Sequence, residues 1–258
     1  MPRKPAAPHR FESANSVSRP RKPRHGLARV ISKLGECSRK NAHLYILDGR
    51  VSVNGEIVLD PEMPTDAERD EIALDGREIR AAERIYVMMN KPRGYVTTAS
   101  DEQGRETIYT LLDGAGLPWL APVGRLDKAS EGLLLLSNDN AWAARITAPD
   151  STIDKTYHVQ IDRLPDADLL VRLQRGIKDG DELLSVKSAQ ELRRGARYAW
   201  LEIVLDEGRN RQIRRLLAAY DVGVLRLVRV SIGQLALGGL EKGRFRRLSA
   251  LEVAAFAR

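Results

Sequence analysis

The sequence contains a single cysteine, Cys37, in 258 residues. An internal disulfide is excluded, the fold does not rest on oxidation, and a reducing compartment, the cytoplasm, is expected. The four histidines are scattered and no second cysteine stands at ligand spacing from Cys37, which argues against a structural zinc site. No apolar run approaches the length of a bilayer span. No apolar segment follows the basic start of the chain, as a secretory signal requires. A membrane-spanning segment is therefore not expected. The chain shows no P-loop, no dinucleotide-binding glycine fingerprint and no metal cluster, which offers only weak, negative support for a protein without cofactor or metal.

What is present is an ordinary globular composition with an uneven charge. Hydrophobic residues make up 43% and charged residues 30%, enough for a real core. The length allows one large domain, or a small domain with a medium one. Of the net charge of +7, the first forty residues supply more than all: eleven basic side chains stand against Glu12 and Glu36, and the remainder is slightly negative. A basic arm before a near-neutral body is an electrostatic handle for a polyanion, and RNA, DNA and an anionic membrane all fit the charge itself. Residues 1–23 are rich in Pro, Arg, Lys and Ser and are expected to be disordered. They are arginine-rich and acid-poor like an organelle transit peptide, but their prolines argue against the amphipathic helix of such peptides.

A small domain is expected over residues 24–80. Leu27, Val30, Ile31 and Leu34 recur at helical spacing, and Gly35 ends that helix. Ser38 is placed to cap a second helix running through Leu47, with Arg39 and Lys40 in its first turn, where they oppose the helix dipole. An approaching anion would make that placement tolerable. Asn54-Gly55 and Asp75-Gly76, each between short apolar runs, predict two hairpins. Pro61 to Asp70 is acidic and carries no functional reading.

A larger domain is expected over residues 84–258. It opens with an apolar strand into Asn90-Lys91-Pro92-Arg93-Gly94, and its central stretch is Gly124-Arg125-Leu126-Asp127 followed by Ser130-Glu131-Gly132 and four leucines. Two glycines permit tight bends, and the leucines fit a strand buried on both faces. Asp127 then sits on a constrained loop at the mouth of a core strand; its local chemistry alone fits a turn residue as well. Asp139 and Asp166 are candidate helix caps. Lys155 to Ile161 alternates like a half-buried strand with Lys155, Tyr157, Val159 and Ile161 in one row. Farther on, Arg209, Arg211, Arg214 and Arg215 crowd a loop-to-helix turn.

The blocks G-R-L-D with S-x-G-L, K-x-Y, and G-R-N-R-Q-I-R-R resemble the motifs of the pseudouridine synthases, in the branch named after RsuA and RluB. The small domain, with its helix, S-R, helix and G-R-V-x-V-N-G pattern, resembles the S4 RNA-binding domain. The resemblance runs from about residue 24 to the C-terminus. It implies an α+β fold: an S4 domain, then a catalytic domain with a mixed, mostly antiparallel sheet and a cleft across one face. It implies an isomerase that turns a uridine of ribosomal RNA into pseudouridine without a cofactor, acting as a monomer on ribosomal RNA or a pre-ribosomal particle; the partner expected is RNA rather than a membrane. Asp127 would act on the ribose, as nucleophile at C1′ or base at C2′, two roles that stay open. Tyr157 would contact the flipped base, and Arg214 would pair with Asp127 and hold it ionised. Ser38, Arg39, Lys40, Asn41 and Arg50 would meet RNA in the S4 domain, and Lys91, Arg125, Arg209, Arg211 and Arg215 in the catalytic domain. The motifs lean toward members that modify the large subunit. Two other readings are a non-catalytic S4-type ribosome-assembly factor and a glycoside-cleaving hydrolase, which needs a second carboxylate; Glu131 is the nearby candidate.

Overall fold

The computed structural model describes residues 25–99 and 101–256. The basic tail expected over residues 1–23 lies outside them. The first core is built from residues 27–79. Strand β1 (His25–Gly26) leads into α1 (Leu27–Lys33), whose Leu27, Ala28, Val30 and Ile31 are buried. Gly35, at φ +85°, turns the chain, and α2 (Arg39–Leu47) follows with the Ser38 hydroxyl accepting from the Asn41 amide. Strands β2 (Val51–Val53) and β3 (Glu56–Ile57) form a hairpin over Asn54-Gly55; β4 (Pro64–Thr65) pairs with β1; β5 (Ile72–Leu74) and β6 (Arg77–Glu78) close over Asp75-Gly76. All four turn residues have positive φ, the conformation that two-residue hairpins demand.

Two backbone hydrogen bonds tie the first domain to the second: the Ala82 amide donates to Leu34, and the Trp119 amide to Gly35. From there the strands are β7 (Tyr86–Lys91), β8 (Ala121–Val123), β9 (Glu131–Ser137), β10 (Lys155–Ile161), β11 (Ile177–Asp179), β12 (Glu182–Leu184), β13 (Ser188–Arg194), β14 (Ala199–Leu205), β15 (Val224–Ile232), β16 (Leu235–Ala236) and β17 (Phe245–Arg247). The helices are α3 (Asn140–Thr147), α4 (Ala167–Arg175), α5 (Gln212–Ala218) and α6 (Ala250–Ala254). Asp139 and Asp166 cap α3 and α4 as their positions imply.

A nine-stranded sheet organises this domain in the order β13-β14-β10-β15-β9-β7-β17, with β16 on β15 and β8 on β9. Its pairings are antiparallel except one: β15 runs parallel to β9. Strand β9 is buried along its whole length. Leu133 and Leu135 join a cluster with Trp142, Ile146 and Phe256, while Leu134 and Leu136 join another with Ile108, Leu120 and Leu126. The period of two sends alternate leucines to opposite faces, and each buried side chain contributes about 1.5–3 kcal/mol.

The parallel join consists of two residue pairs, Val228 with Glu131 and Arg229 with Gly132. A Cβ added to Gly132 would lie 2.3 Å from the Arg229 carbonyl oxygen, and Gly132 has φ +101°. Only glycine lets the two backbones meet there. The glycine of S-x-G-L thus sets the seam beside which the cleft opens.

Candidate active site

Asp127 stands on the loop between β8 and β9, anchored by the buried side chain of Leu126. Five consecutive carbonyls of this loop each receive a donor. Thr97 Oγ1 donates to Leu126 (2.7 Å), Lys91 Nζ to Asp127 (3.1 Å) and to Ser130 (2.9 Å), the Gly94 amide to Lys128 (2.8 Å), and Arg214 Nη2 to Ala129 (3.1 Å). A loop whose acceptors are all engaged is a pre-formed platform for its carboxylate.

Lys91 was expected at the RNA. It is instead fully buried, its ammonium spread over the carbonyls of Pro92, Asp127 and Ser130. Burial pushes its pKa down to about 8, against the pull of Asp127 and Glu131. The physical reason is register: Lys91 ends β7 opposite Gly132, beneath the loop, and the three carbonyls there accept what a surface lysine would offer to phosphate.

Asp127, Tyr157 and Arg214 line one cleft of about 590 Å³. Its walls come from the Asp127 loop, the end of α3, strands β10 and β15, and the loop entering α5. Tyr157 lies half-buried between the two halves of the core, packed against both. Its hydroxyl has no hydrogen-bond partner among the described residues and is free for a ligand.

The carboxylate's ion pair departs from expectation. Arg211 Nη1 lies 3.3 Å from Asp127 Oδ2, whereas Arg214 donates to the carbonyls of Ala129 and Val224 (3.1 and 3.4 Å). Arg211 is the N-cap of α5 in the left-handed region (φ 49°, ψ 30°), which turns its side chain back toward the loop. Arg214, one turn later on the same side of the helix, holds the loop from below. Burial, then the neighbouring charge of Arg211, lowers the Arg214 pKa, and Asp127 opposes that shift.

The other arginines of the block are engaged by acids. Arg209 reaches Glu207 (2.8 Å) and Glu182 (3.7 Å). Arg215, expected at a phosphate, pins the β11–β12 hairpin through Asp179 and Glu182, both at 2.7 Å. Arg125 is exposed at the cleft's rim. In the small domain Arg39 pairs with Glu62, Lys40 with Glu102 and Arg50 with Asp75, all in solvent, while Ser38 spends its hydroxyl on the cap and Asn41 lies beside it.

Glu131 does not act as a second catalytic carboxylate. It is 3% exposed and held by Arg226 at 3.0 and 3.1 Å and by Lys242. Burial opposes its charge, but those hydrogen bonds outweigh it and keep its pKa below the ordinary glutamate value. A carboxylate so held is a poor proton donor.

The description of RNA pseudouridylate synthases matches residues 85–219, and that of the S4 domain residues 26–72. The chain belongs to the RNA pseudouridylate synthase family. It is similar to the ribosomal large subunit pseudouridine synthase B of Bacillus subtilis, 34% identical over 230 residues, which cover 88% of this chain and 93% of that one. An RNA pseudouridine synthase of Aquifex aeolicus is 35% identical over 228 residues, 88% of this chain and 91% of that one. A crystal structure of a pseudouridylate synthase superposes with a TM-score of 0.61 at 32% identity, covering 90% of this chain and 99% of the other. The synthase therefore combines an S4 domain with a catalytic domain that isomerises uridine to pseudouridine in RNA.

Sequence reasoning missed the tethering role of Lys91 and the presence of Arg229 in the cleft. For Lys91 a signal existed: a lysine directly after five apolar or amide positions, at the end of a core strand. For Arg229 there was none, because its place opposite Tyr157 is set by the pairing of β15 with β10.

Proposed function

We propose that this synthase modifies a uridine of large-subunit ribosomal RNA, with Asp127 acting on the ribose of a nucleotide flipped into the cleft. The observation that carries this is the convergence of Asp127, Tyr157 and Arg214 on one cavity. The reaction breaks the bond from uracil N1 to C1′ and remakes it to C5, with no atom lost. It requires an ionised carboxylate at the sugar. Arg211 faces that carboxylate directly and Arg214 holds its loop, so the charge and the position of Asp127 are supported by different arginines. Tyr157 offers a ring face for the base and a free hydroxyl at its edge. The S4 domain grips RNA through exposed cations near α2, which position the substrate without reading its sequence. The likeness to a large-subunit synthase supports the choice of subunit.

Pseudouridine in total rRNA from cells with and without the gene identifies the target. The reading predicts one or a few large-subunit positions that lose the modification and regain it with the wild-type gene but not with Asp127→Asn. Purified Asp127→Asn should bind the same RNA as the wild type and form no pseudouridine. Full activity in that variant would remove Asp127 from the chemistry, and a lost site confined to small-subunit RNA would overturn the choice of subunit.

A further inference from the structure

Beneath the Asp127 loop the cleft contains two cations, Lys155 and Arg229, that make no ion pair among the described residues. Lys155 and Tyr157 share one face of β10, and Arg229 stands opposite Tyr157 on β15, so all three reach the same side of the sheet and line the cleft. Arg229 is 5% exposed. Its Nε donates to the Leu133 carbonyl (2.8 Å), and its Nη2 is buried with no partner. Lys155 is half-buried, and among the described residues its ammonium makes no hydrogen bond and no ion pair. Burial, then the charge of Arg229, lowers the Lys155 pKa; Asp154 and Asp206 oppose that shift, and Asp154 is itself claimed by Lys187 at 2.8 Å. A buried and a half-buried like charge side by side, neither in an ion pair among the described residues, cost folding free energy, and a site for developing negative charge is where such an arrangement is used.

We propose that Lys155 and Arg229 bind the uracil ring of the flipped nucleotide and stabilise it as an anion while it is detached from the sugar. This rests on the proposed role of Asp127 at the ribose. When the C1′–N1 bond breaks, its electron pair stays with uracil and spreads over N1, O2 and O4. The sugar is meanwhile held through Asp127, either by a bond to C1′ or by transfer of the C2′ proton to the carboxylate. The ring turns, C5 bonds to C1′ and releases Asp127, or the C2′ proton is returned; C5 then loses its proton and N1 gains one. No external reagent is consumed. The charge exists only between these events, so cations aimed at it favour the transition state over the bound substrate. A flat base is the part of RNA that fits so deep, whereas phosphates remain with the exposed Arg125 at the rim.

The test uses large-subunit rRNA fragments carrying either uridine or 5-fluorouridine at the mapped position. Fluorine withdraws electrons from C5 and makes the departing ring a weaker base, which needs less help from cations. Single-turnover disappearance of each nucleotide is compared for wild type, Lys155→Met, Lys155→Arg and Arg229→Gln. Lys155→Met should slow uridine cleavage on the order of 100-fold, with RNA affinity within about twofold of wild type. The loss should be several-fold smaller for 5-fluorouridine, and Lys155→Arg should recover most of the rate. Arg229→Gln should behave as Lys155→Met does; if it fails to fold, Lys155→Met decides alone. Equal losses on both nucleotides, or a fall in affinity that accounts for the fall in rate, would overturn the proposal and leave a phosphate contact or a structural role. If wild type itself forms no pseudouridine, it is the functional reading that fails.

Discussion

Arg39, Lys40 and Arg50 on the small domain and Lys91, Arg214 and Arg229 around the cleft are all cations of an RNA-modifying protein, held in opposite ways. The first three are 60%, 58% and 42% exposed, each beside an acid that is itself in solvent. Such pairs are worth little and exchange readily for phosphate. Of the second three, Lys91 and Arg229 are buried and Arg214 half-buried, and all three donate to backbone carbonyls rather than to carboxylates. A carbonyl brings no negative charge of its own, so a guanidinium or ammonium held by carbonyls is not offset by a counter-ion while its loop stays rigid. On the function proposed above, the exposed cations would set how tightly RNA is held and the buried ones where the reacting atoms are.

Substitutions on the two sides should therefore fail differently. The largest effect belongs to Asp127→Asn, with pseudouridine formation reduced on the order of 10⁴-fold or more and RNA affinity retained. A parallel loss of affinity would mean that cleft and grip are not separable. Lys91→Met comes next. It strands the carbonyls of Asp127 and Ser130 and should lower stability by about 3 kcal/mol, read as a drop in Tm of about 6–10 °C. Because the folded pKa of Lys91 is about 8 against an ordinary 10.5, the unfolded chain binds more protons between those values. The Lys91 contribution to stability therefore rises with pH across that window. The stability gap between wild type and Lys91→Met should widen from pH 8 to pH 10.5 by up to about 3 kcal/mol, measured by urea unfolding. A constant gap would show that the ammonium is not buried.

Gly132→Ala should cost about 2–3 kcal/mol by forcing the β9–β15 seam apart, with activity falling further than stability because the seam borders the cleft. The smallest effects fall on the exposed side. Arg39→Ala, Lys40→Ala and Arg50→Ala should each change stability by less than about 0.5 kcal/mol. Each should lower RNA affinity several-fold and reduce the slope of log Kd against log salt by about one. A variant among these that loses turnover at saturating RNA would blur the distinction drawn above.

Elements made by local chemistry were legible in the chain. Asn54-Gly55 and Asp75-Gly76 turn because Asn, Asp and Gly tolerate positive φ. Ser38, Asp139 and Asp166 cap because their oxygens reach amides two or three residues on. The four leucines at 133–136 form a strand because nothing polar interrupts them and glycine precedes them. Partner choice among arginines was not legible. Arg211 and Arg214 differ by three positions, and which reaches Asp127 depends on one left-handed residue at the start of α5.

The amino-acid order by itself determined the two-domain layout, the turns, the caps, the core strand and the motifs of the synthase family, since each depends on neighbours within a few residues or on a recurring spacing. The tertiary structure alone decided that Lys91 is a tether, that Arg215 pins a hairpin, and that Lys155 and Arg229 meet beneath the loop of Asp127. Those outcomes depend on strand register and on burial, which bring together groups 36 to 85 residues apart and give a charge its energy only once water has been excluded from around it.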